Sequence, residues 1–141
     1  MKNCIFCKII NQESPASLVF EDNLCIAFLD INPISEGHVL VIPKQHSERF
    51  SEVENETVGH LFKVGQKILR AMERSEIKCE GANLFHSDGV VAGQEVMHSH
   101  LHIAPRFKND GLIVGFSHSN SVEFPRNRLN EIAAKISKFI N

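Results

Sequence analysis

The chain has 141 residues, of which 43% are hydrophobic and 23% charged, with a formal net charge of −2 at pH 7. This composition excludes intrinsic disorder and collagen-like repetition, and it offers no basic excess to hold a nucleic-acid backbone. The longest apolar runs, such as Val39-Leu40-Val41-Ile42, are far too short to cross a bilayer, and no apolar leader follows Met1-Lys2-Asn3-Cys4. A cytoplasmic protein of one domain, 1–141, is expected, with neither nucleic acid nor membrane as partner.

In chain order, Leu18-Val19-Phe20, Leu24 to Leu29 and His38 to Ile42 read as strands, and Glu21-Asp22-Asn23 as the turn between the first two. Asn32 to Gly37 reads as a loop. Residues 51–74 read as the main helix. Ser51 and Glu54 fit a capping box, and Val58, Leu61, Phe62, Gly65, Ile68, Leu69 and Met72 form one apolar stripe. Ala82 to Phe85 is a short predicted strand, Ser87 to Gly93 a loop, and Met97 to Ala104 an alternating strand that Pro105 should stop. Residues 107–120 are weakly patterned. A last helix is expected after Pro125, with Leu129, Ile132, Ala133, Ile136, Phe139 and Ile140 on one face. Strands, a long helix, then further strands favour an α+β fold with an antiparallel sheet, one long helix and a C-terminal helix.

His98-Ser99-His100-Leu101-His102-Ile103 is the most informative segment. In a strand the three imidazoles would share one face over about 13 Å. Leu101 and Ile103 would then face the core, and Ser99 less comfortably so. Histidines at neutral pH ligate metal, transfer protons or attack phosphorus. One zinc ion does not take all three from so straight a row, so divided roles are expected. Upstream, Gly93 permits close backbone approach and Gln94 both donates and accepts hydrogen bonds. Cys4 and Cys7 form a C-x-x-C, which in a reducing compartment reads as metal-binding or redox-active. Cys25 and Cys79 read as plain buried thiols. His60, His86 and His118 have no evident partner set, and Lys108 to Gly111 reads as a loop.

The histidine segment resembles the motif of the histidine-triad (HIT) superfamily, His-x-His-x-His followed by apolar residues. Ala92-Gly93-Gln94 is similar to that family's glutamine turn, and Gly37-His38-Val39-Leu40-Val41-Ile42-Pro43-Lys44-Gln45-His46 to its upstream strand. Cys4 to Ile10 and Ala27-Phe28-Leu29-Asp30 also match, so the resemblance runs from about residue 4 to 108 and leaves 109–141 as a tail with a helix. It implies the HIT-like fold, a homodimer, and hydrolysis or transfer of nucleotides by attack at the α-phosphorus. Nucleoside phosphoramidates and dinucleoside polyphosphates are the implied substrates. Spacing leaves open which histidine attacks; the resemblance implies His100, through a covalent nucleotidyl-histidine intermediate. It also implies that His102, Gln94 and His38 serve the phosphate, that Phe6, Ile9 and Phe28 wall the base pocket, and that Asp30 accepts from the ribose. An Asx-turn is the competing reading of Asp30. Ser87 stands at a nucleotide-contacting position, and Glu95 follows the glutamine where other branches often carry Ser or Thr.

Some bacterial members of the superfamily are similar in pairing a Cys-x-x-Cys with two histidines. By that resemblance Cys4, Cys7, His46 and His98 would hold a closed, structural zinc, as in a bacterial zinc-containing branch. No organic cofactor is expected. The competing functional readings are a nucleotide-binding regulatory protein with little catalysis and a zinc hydrolase using the histidine cluster directly.

Overall fold

The structure, a computed structural model, describes residues 4–113 and 124–140. In chain order it places helix α1 at Ile5–Ile10, strands β1 at Leu18–Glu21, β2 at Cys25–Leu29 and β3 at Val39–Pro43, helix α2 at Asn55–Met72, strands β4 at Gly81–Phe85 and β5 at Leu101–Arg106, and helix α3 at Arg126–Ser137. Short 3-10 turns cover Phe50–Glu52 and Val90–Ala92. The strands form one five-stranded antiparallel sheet in the order β1-β2-β3-β5-β4. This is the α+β arrangement expected from the sequence.

Local chemistry explains most of the boundaries. The turn between β1 and β2 is built by Asp22, whose Oδ1 accepts the Leu24 and Cys25 amides, both at 2.9 Å. The strand expected over Met97–Ala104 begins later, at Leu101, and continues through Pro105 to Arg106. Pro105 is tolerated because the β3–β5 register ends at Val39↔Ile103. Its missing N–H therefore costs no ladder bond, while β4 still pairs alongside at Ala82↔Pro105. The long helix starts at Asn55 rather than 51, and the Ser51–Glu54 box does not form. Residues 50–52 close a 3-10 turn instead, with the Glu52 carboxylate accepting the Arg49 amide at 3.2 Å. Helix α1 was not foreseen: six residues are too few to establish a helical period. Helix α3 lies where Pro125 predicted it, and none of its residues is buried. Positions 114–120 of the weakly patterned stretch, His118 among them, lie outside the described residues.

The sheet carries a core on each face. On one side Cys25, Ala27, Val39, Val41, Leu101 and Ile103 pack against Leu61, Val64, Ile68 and Met72 of α2. On the other, Ile26, Phe28, Leu40 and Ile42 pack against Phe6 of α1. The α2 stripe is rotated from the expected one: Thr57 and Val64 are buried, whereas Phe62 is 46% exposed. Cys25 is buried as expected, but Cys79 is only partly so, its Sγ donating to the Gly81 carbonyl at 3.3 Å.

Helix α2 sits close to the sheet at Gly65, where a Cβ would lie 3.1 Å from Leu101 Cδ2 and 3.5 Å from Ile103 Cδ1. Gly59, earlier in the same helix, faces open space. Gly65→Val should therefore overpack the seam and destabilise by about 1–3 kcal/mol. Gly59→Ala should stabilise by roughly 0.5–1 kcal/mol through helix propensity alone. Urea denaturation of the two variants checks the contrast; a neutral Gly65→Val would mean that the seam is not tightly packed.

Candidate functional site

A cleft of about 750 Å³ opens on the sheet face opposite α2. Its apolar end is lined by Phe6, Ile9, Phe28 and Leu40, and its polar end by His38, Ser87, His100 and His102, with Asp30 at the close of β2. The register Leu40↔His102 puts His102 on this face in the centre of the sheet. His98 and His100 precede β5, so the three imidazoles do not form a straight row. They divide between two sites, as the metal argument required.

Backbone partners assign each ring its tautomer. His98 Nε2 donates to the Pro43 carbonyl at 2.8 Å, which leaves its Nδ1 lone pair facing Cys4, Cys7 and His46. His100 Nδ1 donates to the His98 carbonyl at 2.7 Å, which leaves Nε2 bare at the cleft. His38 Nδ1 accepts the Ile34 amide at 3.1 Å, so its Nε2–H donates to His102 Nδ1 at 3.0 Å. His102 must then carry its remaining proton on Nε2. The two catalytic candidates thus differ: His100 offers an electron pair and His102 a proton donor. Among the described residues neither Nε2 is engaged by a protein group.

Burial keeps these rings neutral. It lowers the pKa of His100 against the opposing His98 carbonyl and the Asp30 and Glu95 charges. His38 is likewise lowered by burial. His102 falls to about 3, through burial first and then its neighbours His100, His38 and His86. Aromatic contacts hold the rings in place: Phe85 stacks on His102 at 4.3 Å and 5°, and Phe6 meets His100 edge-on at 5.3 Å.

Of the two readings of Asp30, the structure shows the turn. Asp30 Oδ1 accepts the Asn32 amide at 2.9 Å, an Asx-turn, while Oδ2 lies 3.7 Å from His38 Nδ1. Since that nitrogen already accepts the Ile34 amide and burial keeps the ring neutral, the 3.7 Å approach is neither a hydrogen bond nor an ion pair. Gln94 departs from expectation. Its Oε1 accepts the Gly89 amide at 2.7 Å, and its Nε2 donates to the Glu48 and Val96 carbonyls at 2.8 and 3.0 Å. Both amide protons are spent, and the side chain is buried rather than turned into the cleft. It clamps the 89–96 loop, whose Gly93 sits at φ +89°, a conformation that favours glycine.

Three contributors were not legible from the sequence. Phe85 supplies the stacking platform for His102. His86 donates to or accepts from Ser99 Oγ at 2.9 Å, which explains how Ser99 is buried without cost. His60 also has a partner, Asp22 Oδ2 at 2.6 Å, where the sequence offered none. Each pairing joins residues far apart or in loops, where spacing carries no signal.

The Cys4, Cys7, His46 and His98 ligand atoms all lie within 4.8 Å of one another. Sulfur-to-nitrogen separations are 3.3, 3.5 and 3.7 Å, and the two Nδ1 atoms are 3.2 Å apart. Tetrahedral zinc with ordinary bond lengths would separate S and N by roughly 3.5 Å and two N by roughly 3.4 Å. The donor set therefore fits. The thiols do too: burial and the adjacent Cys4 hold Cys7 above its usual range, a penalty that a cation would reverse.

A family model described as HIT domain matches residues 11–109. The chain is 45% identical over 138 residues to an uncharacterized HIT-like protein of Borreliella burgdorferi, covering 97% of this chain and 98% of that one. It is 39% identical to an adenosine 5'-monophosphoramidase of Saccharomyces cerevisiae, over 80% of this chain and 69% of the relative. An adenylylsulfatase of Arabidopsis thaliana is also 39% identical, over 78% of this chain and 55% of its own. Among solved structures, a HIT family member from Bacillus subtilis superposes with a TM-score of 0.86 at 39% identity, covering 99% of this chain and 98% of that one. A Zn-bound histidine triad family protein from Mycobacterium smegmatis gives 0.77 at 34% identity, with 97% of each chain covered.

The depressed His102 pKa has a stability consequence. An unfolded histidine takes up its proton near pH 6.5, whereas the folded ring does so only near 3. Below about pH 6.5 the unfolded chain therefore binds more protons. The contribution is complete above that pH and is lost as pH falls toward 3. The melting temperature should drop by several degrees between pH 7 and pH 5, and less steeply in His102→Gln. Identical slopes for the two proteins would reject His102 as a source of the dependence.

Proposed function

The chain belongs to the HIT family, and we propose that it is a nucleotide hydrolase or transferase acting at the α-phosphorus of a nucleoside phosphoramidate or dinucleoside polyphosphate. The observation that carries this reading is the pair of opposite tautomers in the cleft, a bare Nε2 on His100 beside an N–H on His102. In this reading the His100 lone pair forms a bond to phosphorus. The bond to the leaving group breaks; that group keeps the electron pair and gains a proton from solvent. Water then attacks the nucleotidyl-histidine, the P–N bond breaks with its electrons returning to His100, and the water's proton goes to solvent. His102 Nε2–H, polarised by His38 behind it, stabilises charge on the phosphate oxygens. Phe6, Ile9 and Phe28 wall the base, and Asp30 Oδ2 and Ser87 meet the sugar and phosphate. Gln94 acts indirectly, by holding the loop. The activities named for the yeast and Arabidopsis relatives support this class of chemistry.

The same proposal assigns a structural zinc to Cys4, Cys7, His46 and His98, as in a zinc-containing branch of the family. Support comes from the tetrahedral separations and from the Zn-bound Mycobacterium smegmatis relative. Such an ion would cross-link α1 to the sheet and take no part in the chemistry. A homodimer is part of the proposal, supported by the edge position of β4 and the exposed apolar Leu84 on it. A reducing cytoplasm, where Cys4 and Cys7 stay available as ligands, completes it.

Two experiments test these assignments. His100→Asn should lose turnover of adenosine 5'-phosphoramidate by at least about 10³-fold while adenosine monophosphate affinity changes by less than roughly threefold. Near-normal turnover would overturn the nucleophile. Purified protein should contain one zinc per chain, and Cys4→Ser with Cys7→Ser should lose it and melt at lower temperature, with activity falling less than stability. Zinc-free wild-type protein would refute the site.

A further inference from the structure

The cleft has an unusual charge inventory for a site that accepts phosphate. Among the described residues lining it there is no Lys or Arg, and the only groups of fixed charge are Asp30 and Glu95. Asp30 is committed to the Asn32 amide through one oxygen. Glu95 makes no hydrogen bond or ion pair among the described residues, so its charge is uncompensated at the exposed rim. It follows Gln94, whose three backbone bonds fix the loop beneath it, so the carboxylate stays beside the cleft.

We propose that Glu95 is a specificity-determining residue that selects substrates by the charge of the leaving group, favouring a cationic amine over a neutral or anionic one. This inference rests on the hydrolase reading above and deepens it. Glu95 and His100 line the same cleft, so a leaving group on a phosphorus within reach of His100 departs into space that the carboxylate borders, where charges interact in a salt-dependent way. A polyphosphate leaving group brings further negative charge toward a rim that holds a carboxylate and no cation. A phosphoramidate whose amine carries a second, protonated amino group brings a complementary charge. The transfer is unchanged: the P–N bond breaks, the departing nitrogen keeps the pair and takes up a proton, and the remote ammonium only steers and holds.

Three adenosine 5'-phosphoramidates of matched length test it, made from 1,5-diaminopentane, 5-aminopentanol and 5-aminopentanoate. In the wild type kcat/KM should fall in the order cation, neutral, anion, with cation and anion at least about fivefold apart, and the spread should shrink as salt is raised. In Glu95→Gln the cation-to-anion ratio should collapse toward one. Equal rates for the three substrates in the wild type, a salt-independent spread, or an unchanged ratio in Glu95→Gln would each overturn the role of Glu95 while leaving the hydrolase intact. No hydrolysis of any of the three by wild-type protein would instead overturn the hydrolase reading, and this inference with it.

Discussion

The hydrogen bond from His98 Nε2 to the Pro43 carbonyl orders both halves of this molecule's chemistry. By taking the proton on Nε2 it turns the Nδ1 lone pair of a fully buried ring toward Cys4, Cys7 and His46. The same residue's carbonyl then accepts Nδ1–H of His100 and frees that ring's Nε2 for the cleft. A side chain and a carbonyl of one residue thus fix the tautomers of two rings in opposite senses. Neither assignment would hold in water, where imidazole exchanges tautomers freely; both hold here because burial leaves each ring one backbone carbonyl to donate to.

The second chain of bonds, from the Ile34 amide through His38 to His102, works by the same logic and reaches the cleft from the other side. Its components come from the loop after β2, the residue that leads into β3 and the start of β5. The antiparallel register Leu40↔His102 brings them together. A one-residue slip of β5 would send His102 into the α2 core and put Leu101 in the cleft, so the apolar burial of Leu101 and Ile103 is also what positions the histidine.

Much of this was legible in the chain. The alternation through Leu101 and Ile103, the turn at Asp22 and the C-x-x-C each carry a physical signal within a few residues. What sequence reading misplaced was tertiary in origin. Pro105 looked like a strand terminator because the absence of a β3 neighbour beyond Ile103 cannot be seen in a single strand. Gln94 looked like a ligand donor because its three backbone partners come from residues 48, 89 and 96. Phe85 and His86 lie beside each other in sequence yet serve different partners, a distinction that only the packing of His102 and Ser99 reveals.

Helix α1 contributes Phe6 and Ile9 to the apolar end of the cleft, yet at six residues it is below the length at which a helix sustains itself. Phe6 is its one buried residue, resting on Phe28 and the edges of His98 and His100. The helix therefore stands through its anchors, Phe6 against the sheet and Cys4 and Cys7 against His46 and His98. Under the zinc assignment proposed above, the ion would pin this wall of the cleft to the same sheet that carries the histidines, so loss of the metal would loosen the apolar end of the cleft before it reached the ordered tautomers beneath.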